Sequence, residues 1–112
     1  MGSDLRLVFS TCGSRELAED IAHALVERRL AACVNVLPAV SSTYRWMDEI
    51  ERADEVLLLI KTAQTELAAI ETEIKARANY ELPELVAVEI TGGSADYLAW
   101  VAGSIGGATR EN

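Results

Sequence analysis

With 112 residues, half of them apolar and a quarter charged, the chain has the size and composition of a single globular domain, 1–112, with an ordered core expected over about 5–105. Acidic residues outnumber basic ones 18 to 10, and the net charge of −8 repels a phosphate backbone, which argues against nucleic acid as a partner and attracts divalent cations only in a general way. The longest aliphatic run, VLLLI at 56–60, falls far short of the roughly 20 residues that span a bilayer, so no membrane partner is expected.

Leu5, Leu7 and Phe9 alternate through residues 5–11, which predicts a strand ending at the Cys12-Gly13-Ser14 turn. Ser14 is a natural helix cap, and Leu17, Ile21, Ala24 and Leu25 then recur on one helical face, with Glu16 in the first turn and Arg28-Arg29 in the last. Residues 31–46 read as extended. Pro38 cannot donate a ladder hydrogen bond, so it predicts an edge position or a bulge, and beyond it Val40, Ser42, Tyr44 and Trp46 share a face. The polar stretch 47–55 predicts a hairpin or a strand extension into solvent, leading to a third strand that ends near Lys61-Thr62. A second helix is expected over 65–77, with Leu67, Ile70 and Ile74 inward and Glu71 paired with Lys75. A fourth strand covers 85–90, and Ser94 caps a last helix carrying Tyr97, Leu98, Trp100 and Val101. Gly106-Gly107 opens a tail expected to fray.

The order βαββαβ with an extra C-terminal helix is the α+β, ferredoxin-like arrangement, with strands one and three central and strands two and four at the edges. Its helices are expected to cover one face of the sheet. The VLLLI strand is nevertheless apolar on both faces, and the long edge strand with Tyr44 and Trp46 lacks a neighbour, so closed self-association is expected. The first residues carry no long apolar export segment, and the two cysteines lie in separate segments, which points to a reduced cytoplasmic setting.

Five segments in fixed order, RLAACVN at 29–35, YRW at 44–46, EVLLLIKT at 55–62, YELPE at 80–84 and DYLAW at 96–100, together resemble the CutA family, named for divalent-cation tolerance. The resemblance implies a homotrimer of ferredoxin-like subunits, joined where the long second and third strands pair across subunit boundaries, and a fold relationship to PII-type signalling trimers. It further implies a role in tolerance of divalent metal ions, copper in particular. Two positions depart from the pattern. Ala78 stands where many members have His, and Ser10-Thr11-Cys12 places its cysteine after the threonine rather than before it.

Soft metal ligands in this sequence reduce to Cys12, Cys33 and His23. Cys33 shares a strand face with Asn35 and has no basic neighbour within two residues, so packing is the favoured reading, with metal contact or thiol chemistry as alternatives. Cys12, before a helix N-terminus, reads as a surface thiol better placed to react. His23 lies on the helix side away from the core. The carboxylates of 48–55 lack the spacing of a calcium loop and read as a solvated hairpin. In a closed trimer the last helix and the YELPE segment would line a cleft between subunits, where Lys61, Tyr80, Glu84, Tyr97 and Trp100, with Cys33 and Asn35, are the candidate ligand residues. Lys61 with Glu84 is the leading polar pair, because neither would be buried unpaired without cost. No phosphate-binding glycine loop or nucleophile motif is present. The expectation is therefore a non-enzymatic module that binds a cation or small ligand in inter-subunit clefts. An enzyme that uses Lys61, Tyr80 and Glu84 for proton transfer, or a scaffold trimer, are the alternatives.

Overall fold

The computed structural model describes residues 4–78 and 82–106. Four strands, β1 (Leu5–Cys12), β2 (Cys33–Trp46), β3 (Glu49–Ala63) and β4 (Val86–Glu89), form one antiparallel sheet in the order β2-β3-β1-β4. Three helices, α1 (Arg15–Glu27), α2 (Leu67–Ala78) and α3 (Ala95–Gly103), complete the βαββαβα order. The ferredoxin-like fold, with strands one and three central, is as the alternation and crossover rules require.

The Ser14 side chain caps α1 by accepting from the Leu17 amide at 3.1 Å, and Ser94 caps α3 by accepting from Tyr97 at 3.3 Å. α1 ends at Glu27, two residues earlier than its charges suggest. Arg28 is the terminal cap, and Arg29 takes a left-handed conformation, φ 60°, so that the Leu30 amide reaches back to the Leu25 carbonyl at 2.9 Å. The second helix opens with a single 3-10 turn, Gln64–Glu66, before α2 proper. Glu71 and Lys75 pair along it at 3.3 Å. Gly106, φ 63°, donates its amide to the Arg29 carbonyl at 2.8 Å, tying the end of α3 to the end of α1.

α1 and α2 cover one sheet face. Ile21, Leu25, Ile70 and Ile74 pack there on Val8, Leu58 and Ile60, all but fully buried. Helices were expected on one face only, but α3 lies on the other, setting Leu98 and Val101 against Leu5, Ala63 and Ala32. Its nine residues cover only the end of that face. Beyond them the face is open: Leu7, Phe9, Leu57 and Leu59 are half-buried, and Val86 and Val88 stand 54% and 45% exposed.

Strand β2 slips register between Leu37 and Val40 at Pro38, as its missing amide requires, with Ala39 at φ 70°. Past this bulge, β2 and β3 continue as a two-stranded ribbon closed by Met47-Asp48, both at positive φ (51° and 67°), the backbone of a type I′ hairpin. The open face runs onto this ribbon through Val40, Ser42, Tyr44 and Trp46.

Candidate functional site

Residues that pair directly across a ladder project to the same side, so register alone groups the side chains of the open face. Lys61 lies opposite Cys33 on β2 and Leu7 on β1, and Asn35 lies opposite Leu59. α3 crosses just above. The Lys61 ammonium therefore donates to Asn35 Oδ1 at 3.0 Å and to the Tyr97 hydroxyl oxygen at 3.3 Å, and it sits 5.6 Å from the centre of the Tyr97 ring. Tyr97 in turn leans on Trp100, ring centres 5.5 Å apart. Five of the sequence candidates, Lys61, Asn35, Cys33, Tyr97 and Trp100, are thus neighbours. Trp100 also borders a small cavity of about 360 Å³ that Val26, Arg29 and Ser104 help to line.

Glu84 belongs to a different place. Its carboxylate accepts from the Thr11 hydroxyl at 3.3 Å, and its main-chain oxygen accepts from the Ser10 hydroxyl at 2.8 Å. Thr11 is opposite Leu57, four residues from Lys61 along β3, or about 13 Å at the usual strand rise. The leading polar pair of the sequence reading is therefore not a pair within one subunit; each member has found a neutral partner nearer at hand. Tyr80 lies outside the described residues.

Around Glu84 the sheet and ribbon form a groove of about 700 Å³, whose lining includes Thr11, Glu55, Leu82 and Glu84 together with Tyr44, Arg45 and Trp46 of the ribbon. Sequence reasoning had Tyr44 and Trp46 as an exposed edge and Glu55 as hairpin charge. That the ribbon residues share a groove with Glu84 follows the register slip at Pro38, after which Val40 faces Glu55 and Tyr44 faces Glu51, a slip the linear pattern marks without giving its size.

The soft ligands do not converge. Cys12 was expected at the surface, yet it is 1% exposed on the helix side of the sheet, packed in the main core, with its thiol donating to the Ser14 carbonyl at 3.4 Å. The β1 alternation of Val8, Ser10 and Cys12 carries it inward. Burial pushes its pKa up, partly opposed by hydrogen bonding to the Ser14 backbone and reinforced by the Glu55 carboxylate. Cys33, expected to be packed, is half-buried on the opposite face, opposite a position on β3 five residues from the one facing Cys12. His23 is on the exposed side of α1, 3.6 Å from Glu27. Three donors so placed cannot share a metal ion in one subunit, and Ala78, where the family pattern has histidine, offers a buried methyl. Among the described residues no group of three or more His, Cys, Asp or Glu side chains is placed to hold a metal ion. No described helix is long and apolar enough to cross a membrane.

Comparison with known proteins agrees with this fold. Residues 6–104 match the family model described as CutA1 divalent ion tolerance protein. The chain is 43% identical over 100 residues to the divalent-cation tolerance protein CutA of Thermus thermophilus, covering 89% of this chain and 97% of that one. It is 39% identical over 98 residues to the chloroplastic CutA of Arabidopsis thaliana, covering 88% of this chain, and it spans 54% of that longer protein. The crystal structure of CutA from Xylella fastidiosa superposes with a TM-score of 0.88 at 45% identity, over 93% of this chain and all of that one. CutA1 from Oryza sativa superposes with a TM-score of 0.89 at 33% identity, over 96% and 98% of the two chains. A family match along nearly the whole chain, on a sheet with the same order of elements, establishes that the chain belongs to the CutA1 divalent ion tolerance family.

Proposed function

We propose that the chain acts as a homotrimer in divalent-cation tolerance, as a binding module whose ligand sites lie in clefts between subunits. The observation that carries this reading is the open sheet face. Leu7, Phe9, Leu57 and Leu59 form an apolar stretch that reaches through Leu37 and Val40 to the ribbon's Tyr44 and Trp46, each 44% exposed beside Glu51 and Glu49, and such a stretch marks an interaction surface. A ring of identical copies covers such a face without leaving another edge exposed. The groove beside Glu84 is then the cleft. It holds two carboxylates, Glu55 and Glu84, with the Thr11 hydroxyl, against one described lining cation, Arg45. Hard oxygen donors of this kind suit a divalent cation once a second copy adds its own, whereas the thiols and imidazole that copper prefers are scattered.

Relatives such as the Thermus protein bear the name of divalent-cation tolerance proteins. That supports the functional class. The two free thiols, Cys12 and Cys33, fit a reducing compartment such as the cytoplasm. Proton-transfer catalysis by Lys61, Tyr80 and Glu84 is the weaker reading, because Lys61 and Glu84 stand about four strand positions apart.

The test pairs light scattering at micromolar protein with calorimetric titration of manganese and of copper. The expected result is a trimer whose cation uptake is lost in Glu55→Gln/Glu84→Gln and kept in His23→Ala. A monomer, or uptake indifferent to the two glutamates, would refute the proposal.

A further inference from the structure

The Lys61 cluster has chemistry opposite to that of a cation site. An ammonium group has three N–H donors, and here two are used on neutral oxygens, Asn35 Oδ1 and the Tyr97 hydroxyl. Among the described residues no carboxylate is paired with it, although the chain carries 18 acidic side chains and most of its other described cations have found one. The charge is therefore held in place and oriented without being neutralised. A divalent metal ion would be repelled by it, and an anion would meet a positioned donor with its charge intact.

Beside the ammonium stands an aromatic shelf. Tyr97 and Trp100 are 41% and 51% exposed, far more than core aromatics, and their rings are already fixed against each other. Trp100 has room next to it, in the cavity that also carries Arg29, a second cation, whose guanidinium donates to the Ser104 carbonyl at 3.3 Å. Glu27 lines that cavity too and is the carboxylate among its described lining residues. A flat ring laid on the indole could thus direct an acidic substituent at Lys61 without desolvating a carboxylate of the protein.

We infer that Lys61, held by Asn35 and Tyr97 beside Trp100, is the receptor for a small anion carried on a flat ring, an aromatic carboxylate or an aromatic phosphate ester. This site is separate from the Glu84 groove and stands on the geometry of one subunit, so it does not depend on the cation reading above. Lys61 supplies charge and a directed hydrogen bond, Tyr97 and Trp100 supply the stacking surface, and Asn35 positions the ammonium.

The experiment titrates the full chain with 2-naphthoate and 2-naphthyl phosphate by calorimetry, with 2-naphthol as the uncharged ring and inorganic phosphate as the ringless anion. Scattering on the same samples reports the assembly state. Lys61→Met keeps the length and packing of the side chain and removes its charge. The expected result is millimolar or tighter binding of a charged ring, weakened by added salt and reduced about tenfold or more in Lys61→Met, with the two uncombined halves binding more weakly. Tighter binding of the phosphate ester over the carboxylate, or the reverse, identifies the class. The inference is overturned by equal binding to wild type and Lys61→Met, by no binding of either charged ring, or by a Lys61→Met chain that changes its assembly state, since the ammonium would then be serving a neighbouring copy. Failure of any of these leaves the glutamate test of the cation cleft untouched.

Discussion

Trp46→Ala separates the stability of the subunit from that of the assembly. The indole is 44% exposed at the end of the ribbon, on the same side as Tyr44. A tryptophan side chain presents about 250 Å² at most, so roughly 100 Å² remains for a neighbour to cover. At about 25 cal/mol per Å² this contributes about 2.5 kcal/mol per copy, close to a hundredfold in each subunit contact. The fold of the subunit should change little, because the main core of Val8, Leu58, Ile60, Ile21 and Ile70 does not include the ribbon. Sedimentation equilibrium over a range of concentrations reads the effect: the variant should dissociate at protein concentrations where wild type stays assembled, and its unfolding midpoint should depend more strongly on concentration. Val26→Ala is the control, 41% exposed on α1 and outside both the ribbon and the groove beside it, and it should leave the ribbon's contacts unaltered. If Trp46→Ala and Val26→Ala dissociate alike, or neither shifts the equilibrium, the ribbon's aromatic face is not part of an interface.

Glu73 on α2 accepts from Arg77 Nε at 2.7 Å and also pairs with Arg28 of α1, and these contacts, the Arg77 hydrogen bond foremost, hold its carboxyl below the usual value against the opposing effect of burial. A lowered folded-state pKa gives stability that is present above the unfolded pKa and fades as pH falls through the folded one, so Glu73→Gln should cost about 1 kcal/mol at neutral pH and progressively less as acid protonates the carboxyl, as followed by denaturant melts. Replacing Met47-Asp48 by Asn-Gly should stabilise the ribbon by about 0.5–1 kcal/mol, because both positions have positive φ and Met47 is 81% exposed with little packing to lose; hydrogen exchange of the ribbon amides checks this, and faster exchange would contradict it. The Cys12 thiol should react with a disulfide reagent only as fast as the chain unfolds, and Cys33 should react ahead of it; single-cysteine variants with the reverse order would contradict the placement of Cys12 in the core.

Where side chains answer to one short-range rule, the sequence was enough. Ser14 and Ser94 are caps, Pro38 is a bulge, and the alternation of β1 and β3 names the core residues, because each depends on backbone geometry within a few positions. The doubly apolar β3 likewise announced a sheet face with no cover of its own. Placement that depends on how elements cross was not legible. Nothing in DYLAW says that α3 lies over Lys61 rather than beside α1 and α2, and so Lys61 was matched with Glu84 instead of with Asn35 and Tyr97. Cys12 was judged by the helix N-terminus that follows it, a neighbourhood effect, whereas its position in the β1 alternation decided its burial. The groove beside Glu84 needs residues 11, 44, 46, 55 and 84 together, and they come from three separate parts of the chain that only the tertiary fold brings side by side.

The most direct test is the mass of the wild-type protein in solution at micromolar concentration and physiological salt. Light scattering coupled to gel filtration should give three times the 12.1 kDa subunit mass, held on dilution. A species of 12.1 kDa, with Leu7, Phe9, Leu59 and Trp46 left in water, would contradict the account at its root.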